Sequence, residues 1–213
     1  MDKKEKMRRV LKFLRKRYGD ELYYGEPFEV LISTIISQRN TGESTKKVSR
    51  ELFRVARTPQ GIARIPMKRL QKIIMPSGTW KQKSKRIHDT AKIIRKRGGV
   101  PKDRGKLMEL PGVGPKTADI VLMYGFGVPS IAVDTHCNRV PRRLGLVGWD
   151  ATISDVKKEL ERITPKSQWY MVNQGFVSFG REVCRPVNPR CTECPFLRFC
   201  PFGKERVKYL RKK

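Results

Sequence analysis

The chain is poor in acidic residues: 20 Asp plus Glu stand against 48 Lys plus Arg in 213 residues, a formal net charge of +28 and a pI near 10.4. It has no run of roughly 18 consecutive apolar residues, which excludes a membrane-spanning helix. The opening, Met1-Asp2-Lys3-Lys4-Glu5-Lys6, leads into mixed charge with no apolar stretch of the kind a secretory leader needs. An intracellular protein of the cytoplasm or nucleoid, without a membrane partner, is expected. Asn and Gln are scarce as well, four and six residues, a balance shared by heat-adapted proteins. No alternating apolar run is long enough to argue for a sheet, and neither a low-complexity linker nor an internal repeat is visible. What remains is still a foldable chain, because 38% of its residues are hydrophobic and 8% aromatic, more than a disordered basic tail contains.

A positive surplus of this size attracts polyanions, and nucleic acid is the commonest such partner of a basic protein. Counterion release makes binding of that kind strongly salt-dependent. Solvated helix faces account for surface charge equally well, so charge alone leaves the activity open.

The apolar spacing is helical. Phe28, Leu31, Ile32, Ile35 and Ile36 follow i, i+3, i+4, i+7, i+8, and Ile153, Val156, Leu160 and Ile163 repeat the pattern. Val10, Leu11 and Leu14, set among Lys6, Arg8, Arg9, Lys12, Arg15, Lys16 and Arg17, predict a basic amphipathic helix ending near Gly19. Pro and Gly punctuate the rest, notably from Pro111 to Pro115. The fold class is all-α.

Four of the five cysteines, Cys184, Cys191, Cys194 and Cys200, fall within seventeen residues in a C-x6-C-x2-C-x5-C spacing. Disulfides are not expected in an intracellular chain, so the group reads as a metal site. Zinc sites usually present two short knuckles far apart, whereas one compact loop with four thiolates suits a [4Fe-4S] cluster. Spacing favours the cluster and leaves zinc open. Arg181, Arg185, Arg190 and Arg198 lie in or beside the loop, so a cluster there can fix a basic surface without taking part in electron transfer. Cys137 stands apart and reads as a buried small hydrophobe.

The second signal is Leu110-Pro111-Gly112-Val113-Gly114-Pro115-Lys116. Two glycines one residue apart permit a tight turn with positive φ, after which helical spacing resumes. Amides at such a helix start face a phosphate oxygen favourably, and a backbone contact of that kind carries no base sequence. An ordinary connection between two helices would look similar. Lys116 then sits in the first helical turn, where the helix dipole opposes a cation. That field, with desolvation, favours the neutral amine, which is the nucleophilic form. Asp134 ends the apolar run Ile131-Ala132-Val133 just before another helix, which suits an N-cap or a carboxylate that stabilises a sugar cation.

The hairpin Leu110 to Lys116, then Val133-Asp134-Thr135-His136, then the four cysteines resemble, in order and spacing, the helix-hairpin-helix, catalytic Asp and iron-sulfur loop of the endonuclease III family of DNA glycosylases. The resemblance runs from Pro27-Phe28-Glu29 to Cys200. It implies two helical lobes, one spanning 20–130 and carrying the hairpin, the other uniting 1–19 with 131–213 and its [4Fe-4S] loop, with DNA in the groove between them. It implies Lys116 as the nucleophile on deoxyribose C1′, Asp134 as the carboxylate that assists base departure, and Cys184, Cys191, Cys194 and Cys200 as cluster ligands. Gly112, Val113 and Gly114 are then backbone phosphate contacts, and Gln38 or Arg39 fills the gap left by a flipped base. Trp80 stands where an apolar wedge enters the stack, and its other reading is a core anchor. Gly42 replaces an Asp that many members carry.

The expected activity is excision of damaged pyrimidines from duplex DNA followed by strand cleavage at the abasic site, by a monomer. Two alternatives stand beside it. One is a monofunctional glycosylase on uracil or thymine mispaired with guanine; the other is a non-catalytic DNA-binding module, which would have no need of the Lys116 and Asp134 pair. No flavin or nicotinamide fingerprint supports a redox enzyme.

Overall fold

The structure, a computed structural model, describes residues 1–19 and 24–212. Among these no residue lies in a strand, in line with the all-α expectation. The helices are α1 (Lys3–Tyr18), α2 (Pro27–Ser37), α3 (Gly42–Val55), α4 (Pro59–Arg64), α5 (Met67–Ile74) and α6 (Trp80–Arg97). They continue with α7 (Arg104–Met108), α8 (Pro115–Ile120), α9 (Thr135–Arg143), α10 (Ile153–Ile163), α11 (Trp169–Glu182) and α12 (Pro201–Leu210). Four of the starts, at Pro27, Pro59, Pro115 and Pro201, use a proline in the first turn, where its missing N–H costs nothing. None of the helices is long and apolar enough to cross a membrane.

The described chain falls into two compact units. One joins α1 to everything from Pro129 onward, and the other runs through the intervening segment to Val128. The boundary expected at residue 20 lies outside the described residues.

In the first unit, here the cysteine half, α1 buries Met7, Val10, Leu11 and Leu14, one stripe at helical spacing. Asp2 caps it by accepting the Glu5 amide. Helix α11 packs directly on this stripe, and Gly175 permits the approach: a Cβ there would lie 2.7 Å from Leu14 Cδ1. Phe176, Phe179 and Phe196 fill the same core, with Phe13 edge-on to Phe179 and Phe196. Each such side chain contributes about 2 kcal/mol by leaving water. Helix α10 begins with a capping box between Thr152 and Asp155. It buries Val156, Leu160 and Ile163, while Ile153 stays exposed.

In the second unit, the hairpin half, α2 is the central element, with Leu31, Ile32, Ile35 and Ile36 fully buried. Helices α3, α6 and α8 surround it, supplying Val48, Leu52, Ile87, Ala91 and Ala118 to one core. That rigid centre sets the position of the connection between α7 and α8.

Candidate functional site

The hairpin's shape follows from four residues. The Leu110 carbonyl accepts the Val113 amide at 3.0 Å. Pro111 and Gly112 occupy the two central positions, and Gly112 has φ +80°. This is a type II turn, which favours Pro at the first centre and requires a positive-φ residue at the second. Of the two glycines, Gly112 uses the left-handed region, whereas Gly114 has φ −97°. Val113 points inward and is buried with the core. Gly114 is the N-cap of α8 and supplies no side-chain cap, which leaves the helix start open to an outside acceptor. Across the hairpin, Arg104 Nε meets the buried Asp119 at 3.0 Å.

Lys116 lies one residue past Pro115 in this helix start and is exposed. Protein atoms therefore do not supply the desolvation expected at this amine.

Gln38 and Arg86 clamp the turn from below. Gln38 Nε2 donates to the Gly112 carbonyl at 2.8 Å, and Gln38 Oε1 accepts from Arg86 at 3.3 Å. The Thr90 hydroxyl donates to the Pro111 carbonyl at 3.3 Å. The residue expected to fill a base gap is thus tied to the hairpin. Its neighbour Arg39 is exposed, with φ +50°. Trp80, the first residue of α6, packs partly buried against the core of this half. Lys81 Nζ lies 5.3 Å from its ring centroid.

Lys83 is a correction. In the sequence it belongs to the basic run Lys81, Lys83, Lys85, Arg86 that could track a duplex. In the structure it is 1% exposed, and its ammonium donates to the carbonyls of Ile36 at 2.7 Å and Ser77 at 2.6 Å. Burial pushes its pKa down.

In the cysteine half, Asp134 is the N-cap of α9. Its Oδ1 accepts the amides of His136 at 2.9 Å and Cys137 at 2.8 Å. Both bonds fall on one carboxylate oxygen. The capping role weighed in the sequence is therefore real, and it fixes the carboxylate's orientation. Asn173 donates to the Ala132 carbonyl at 2.8 Å and so holds the strand-like approach to Asp134. Cys137 is fully buried among apolar residues, and burial pushes its thiol up. His136 is half-buried, with Arg139 3.1 Å from its Nδ1.

From Cys184 to Cys200 the backbone is a series of turns, as its spacing predicts. All four cysteines are free thiols. Cys191 and Cys200 are buried and the other two half-buried. Burial raises Cys191, Cys200 and Cys194, the last to about 12, and the neighbouring cysteines add to each shift. Cys200 accepts the Gly203 amide at 3.3 Å while capping α12. Arg143 lies beneath the loop, donating to the carbonyls of Arg185 at 2.6 Å and Pro186 at 3.0 Å, with Cys184 Sγ at 3.7 Å. Among the described residues no three His, Cys, Asp or Glu side chains converge as a metal-binding group. The donor chemistry nonetheless fits an iron-sulfur cluster: four unpaired thiols in mutual electrostatic range, with N–H donors directed at sulfur.

Comparison with known proteins bears on both halves. The HhH-GPD superfamily of base excision DNA repair proteins matches residues 32–166. The endonuclease III of Thermotoga maritima is 44% identical over 195 residues, covering 91% of each chain. That of Bacillus subtilis is 40% identical over 190 residues, 88% of this chain and 87% of its own. The chain belongs to the endonuclease III family. A non-covalent endonuclease III–DNA complex superposes with a TM-score of 0.89 at 38% identity, covering 98% of this chain and all of that one. A trapped endonuclease III–DNA covalent intermediate gives the same score and identity over 97% of this chain.

In this endonuclease III family member, Lys116 and the expected DNA contacts Gln38, Arg39, Trp80, Gly112, Val113 and Gly114 all lie in the hairpin half. Asp134 and the four cysteines lie in the other. Two residues escaped the sequence reading. Lys83 and Arg143 are cations among many, and nothing in their spacing separates a buried one from the solvated rest. Phe202, two residues past Cys200, stacks on the Arg143 guanidinium at 4.2 Å; that aromatic was the one available hint.

Proposed function

We propose that the protein is a base excision repair DNA glycosylase with abasic-site lyase activity on damaged pyrimidines in double-stranded DNA, with Lys116 as nucleophile and Asp134 as the assisting carboxylate. The observation that carries this reading is the endonuclease III likeness over nearly the whole chain, with an exposed lysine directly after the hairpin.

Damage weakens stacking and pairing, so a lesion costs less to flip out of the duplex than an intact base. The neutral amine of Lys116 attacks C1′ of the flipped nucleotide as the glycosidic bond breaks, and the base leaves with the bonding pair and takes up a proton. The Asp134 carboxylate, oriented by its two amide bonds, stabilises positive charge developing on the sugar and accepts a proton from the attacking nitrogen. The adduct opens to an imine between Nζ and C1′. Loss of the proton at C2′ then expels the 3′ phosphate, nicking the strand by β-elimination. The open amides at the start of α8 and the turn at Gly112 to Gly114 hold a backbone phosphate nearby. Cys184, Cys191, Cys194 and Cys200 would hold a [4Fe-4S] cluster that fixes the loop and its arginines as a DNA-facing surface. The protein works as a monomer on damaged or mismatched duplex, in the compartment that holds the DNA.

Borohydride trapping tests this. Duplexes carrying thymine glycol, an abasic site, or uracil opposite guanine are incubated with the protein and reduced. A covalent adduct is expected with the first two, and its loss in Lys116→Ala. Base release without any adduct would instead establish the monofunctional alternative. Asp134→Asn keeps a good cap but removes the charge, so excision should fall by roughly a hundredfold or more with the fold intact. An unchanged rate removes the carboxylate from the mechanism.

A further inference from the structure

Two segments of the hairpin half carry backbone strain. Arg39 has φ +50° and Thr79 φ +41°, both in the left-handed region that non-glycine residues avoid; for β-branched Thr79 this is an outlier. Such positions are strained and persist only where the surroundings over-determine them. The surroundings here are shared. The Lys83 ammonium donates to Ile36, just before the first segment, and to Ser77, inside the second. The Ser44 hydroxyl donates to the Pro76 carbonyl at 3.0 Å, joining the same two stretches again. A buried cation is an expensive way to tie loops together, since desolvation costs several kcal/mol. What it adds is reach from α6 with several N–H donors at one point, which a neutral side chain lacks.

We propose that Lys83 is a positioning residue that locks the Gln38–Arg39 and Thr79–Trp80 segments into one rigid unit, so that both enter the gap of a flipped base together. The inference rests on the proposed glycosylase activity and on the expectation, from the family resemblance, that Gln38 or Arg39 fills the gap and Trp80 stands where a wedge enters the stack. Without the tie each segment relaxes out of the left-handed region, and insertion must restore both at a cost paid in duplex excision. The chemistry at Lys116 and Asp134 is untouched. An abasic sugar in a single strand needs no flipping and no gap filling, so its reaction does not depend on Lys83.

Lys83→Met removes the ammonium and keeps the side-chain volume. In single-turnover assays, excision of thymine glycol from duplex should fall about tenfold or more, as misplacement of a positioning group does. Imine trapping on a single-stranded abasic oligonucleotide should stay within about twofold of wild type, a control set against that same principle. Equal losses on both substrates, with helicity preserved, or no loss on duplex, overturn the proposal. Should Lys83→Met lose its helical circular dichroism, Ser44→Ala carries the comparison. It should show the same selectivity at about fivefold, the worth of one hydrogen bond; equal rates on both substrates reject the idea. Failure of the wild type to form any adduct would instead refute the proposed activity. Amide exchange still decides the tie in that case: faster exchange of the Asn40 amide, which bonds the Ser37 carbonyl, in Lys83→Met supports it, and unchanged protection overturns it.

Discussion

The glycine hairpin and the cysteine loop are both irregular stretches that end in a proline-started helix, yet they hold their shapes by different means. The hairpin is self-sufficient. Its turn is closed by a backbone hydrogen bond, Val113 anchors it in the core, and Gln38 and Thr90 brace its carbonyls, with Gln38 itself held by Arg86. The cysteine loop contributes Phe196 and the Cys200 thiol to the core, with Cys184 and Cys194 packed against it, and its carbonyls are gathered by Arg139 and Arg143. Four thiols remain, three of them held up by burial and by one another. A metal centre reverses that situation, because coordinated thiols are deprotonated outright. One loop is completed by protein atoms, and the other leaves four free thiols that, on the proposed reading, a group from outside the chain would take up.

Stripping that group should therefore break the comparison most strongly. The purified protein is expected to be brown, absorbing near about 400 nm, with about four iron and four sulfide per chain. Cys194→Ser, or exhaustive chelation, should remove about 4 kcal/mol or more, the scale of losing a metal site. Amide exchange should rise around Cys200, whose N–H now bonds the Phe196 carbonyl, while the Val113 amide keeps its protection. A colourless protein with bound zinc would reassign the metal. A variant that melts like the wild type would show that the loop, too, stands alone.

The hairpin can be divided in the same way, by its glycines. At Gly112 a side chain meets both positive φ and Arg86 Cδ at 2.6 Å. Gly112→Val should cost about 2 kcal/mol or more, and weaken DNA binding by moving the turn. At Gly114 nothing lies within 4 Å of an added Cβ and φ is negative. Gly114→Ala should cost less than about 1 kcal/mol, the difference between glycine and alanine at an N-cap. Thermal melts of the two variants test this, and equal costs would mean that the two glycines are not distinguished by backbone conformation.

These particulars show what was legible in the sequence. The helical class, the N-terminal stripe at Met7 to Leu14, the irregular cysteine loop and the hairpin's turn could be read because periodicity and Gly-Pro chemistry act locally. The role of each cation could not. Lys81, Lys83, Lys85 and Arg86 follow one another in one helix, yet Lys83 is interior and Arg86 bonds Gln38. That difference depends on which face of α6 meets α2, a tertiary fact. The two left-handed residues, Arg39 and Thr79, were invisible for the same reason: their conformations are imposed by neighbours and not by their own preference. Asp134 was legible only as two alternatives, a cap or a catalyst, and the structure shows the cap.

Acid should separate the halves more gently. In the cysteine half Glu159 is held down at about 2, first by its bond to Arg162 and then by Lys3, while Glu182 is lowered by Arg17 and Tyr18. Lys3 bridges α1 to α10 and Arg17 bridges α1 to α11, so these pairs fasten the N-terminal helix. A carboxylate whose folded pKa is depressed stabilises the fold above its unfolded pKa and loses that contribution as pH falls through the folded value. For Glu159 the window runs from 4.5 down to about 2. Arg162 and Lys3 are half exposed, so solvent screening limits the effect to about 1 kcal/mol. Glu159→Gln should lower stability slightly at neutral pH and flatten its fall across that window, measured by denaturant titration at pH 6 and pH 3. The same pH slope in variant and wild type would mean that α1 is held by its buried apolar stripe alone, with the ion pair contributing nothing.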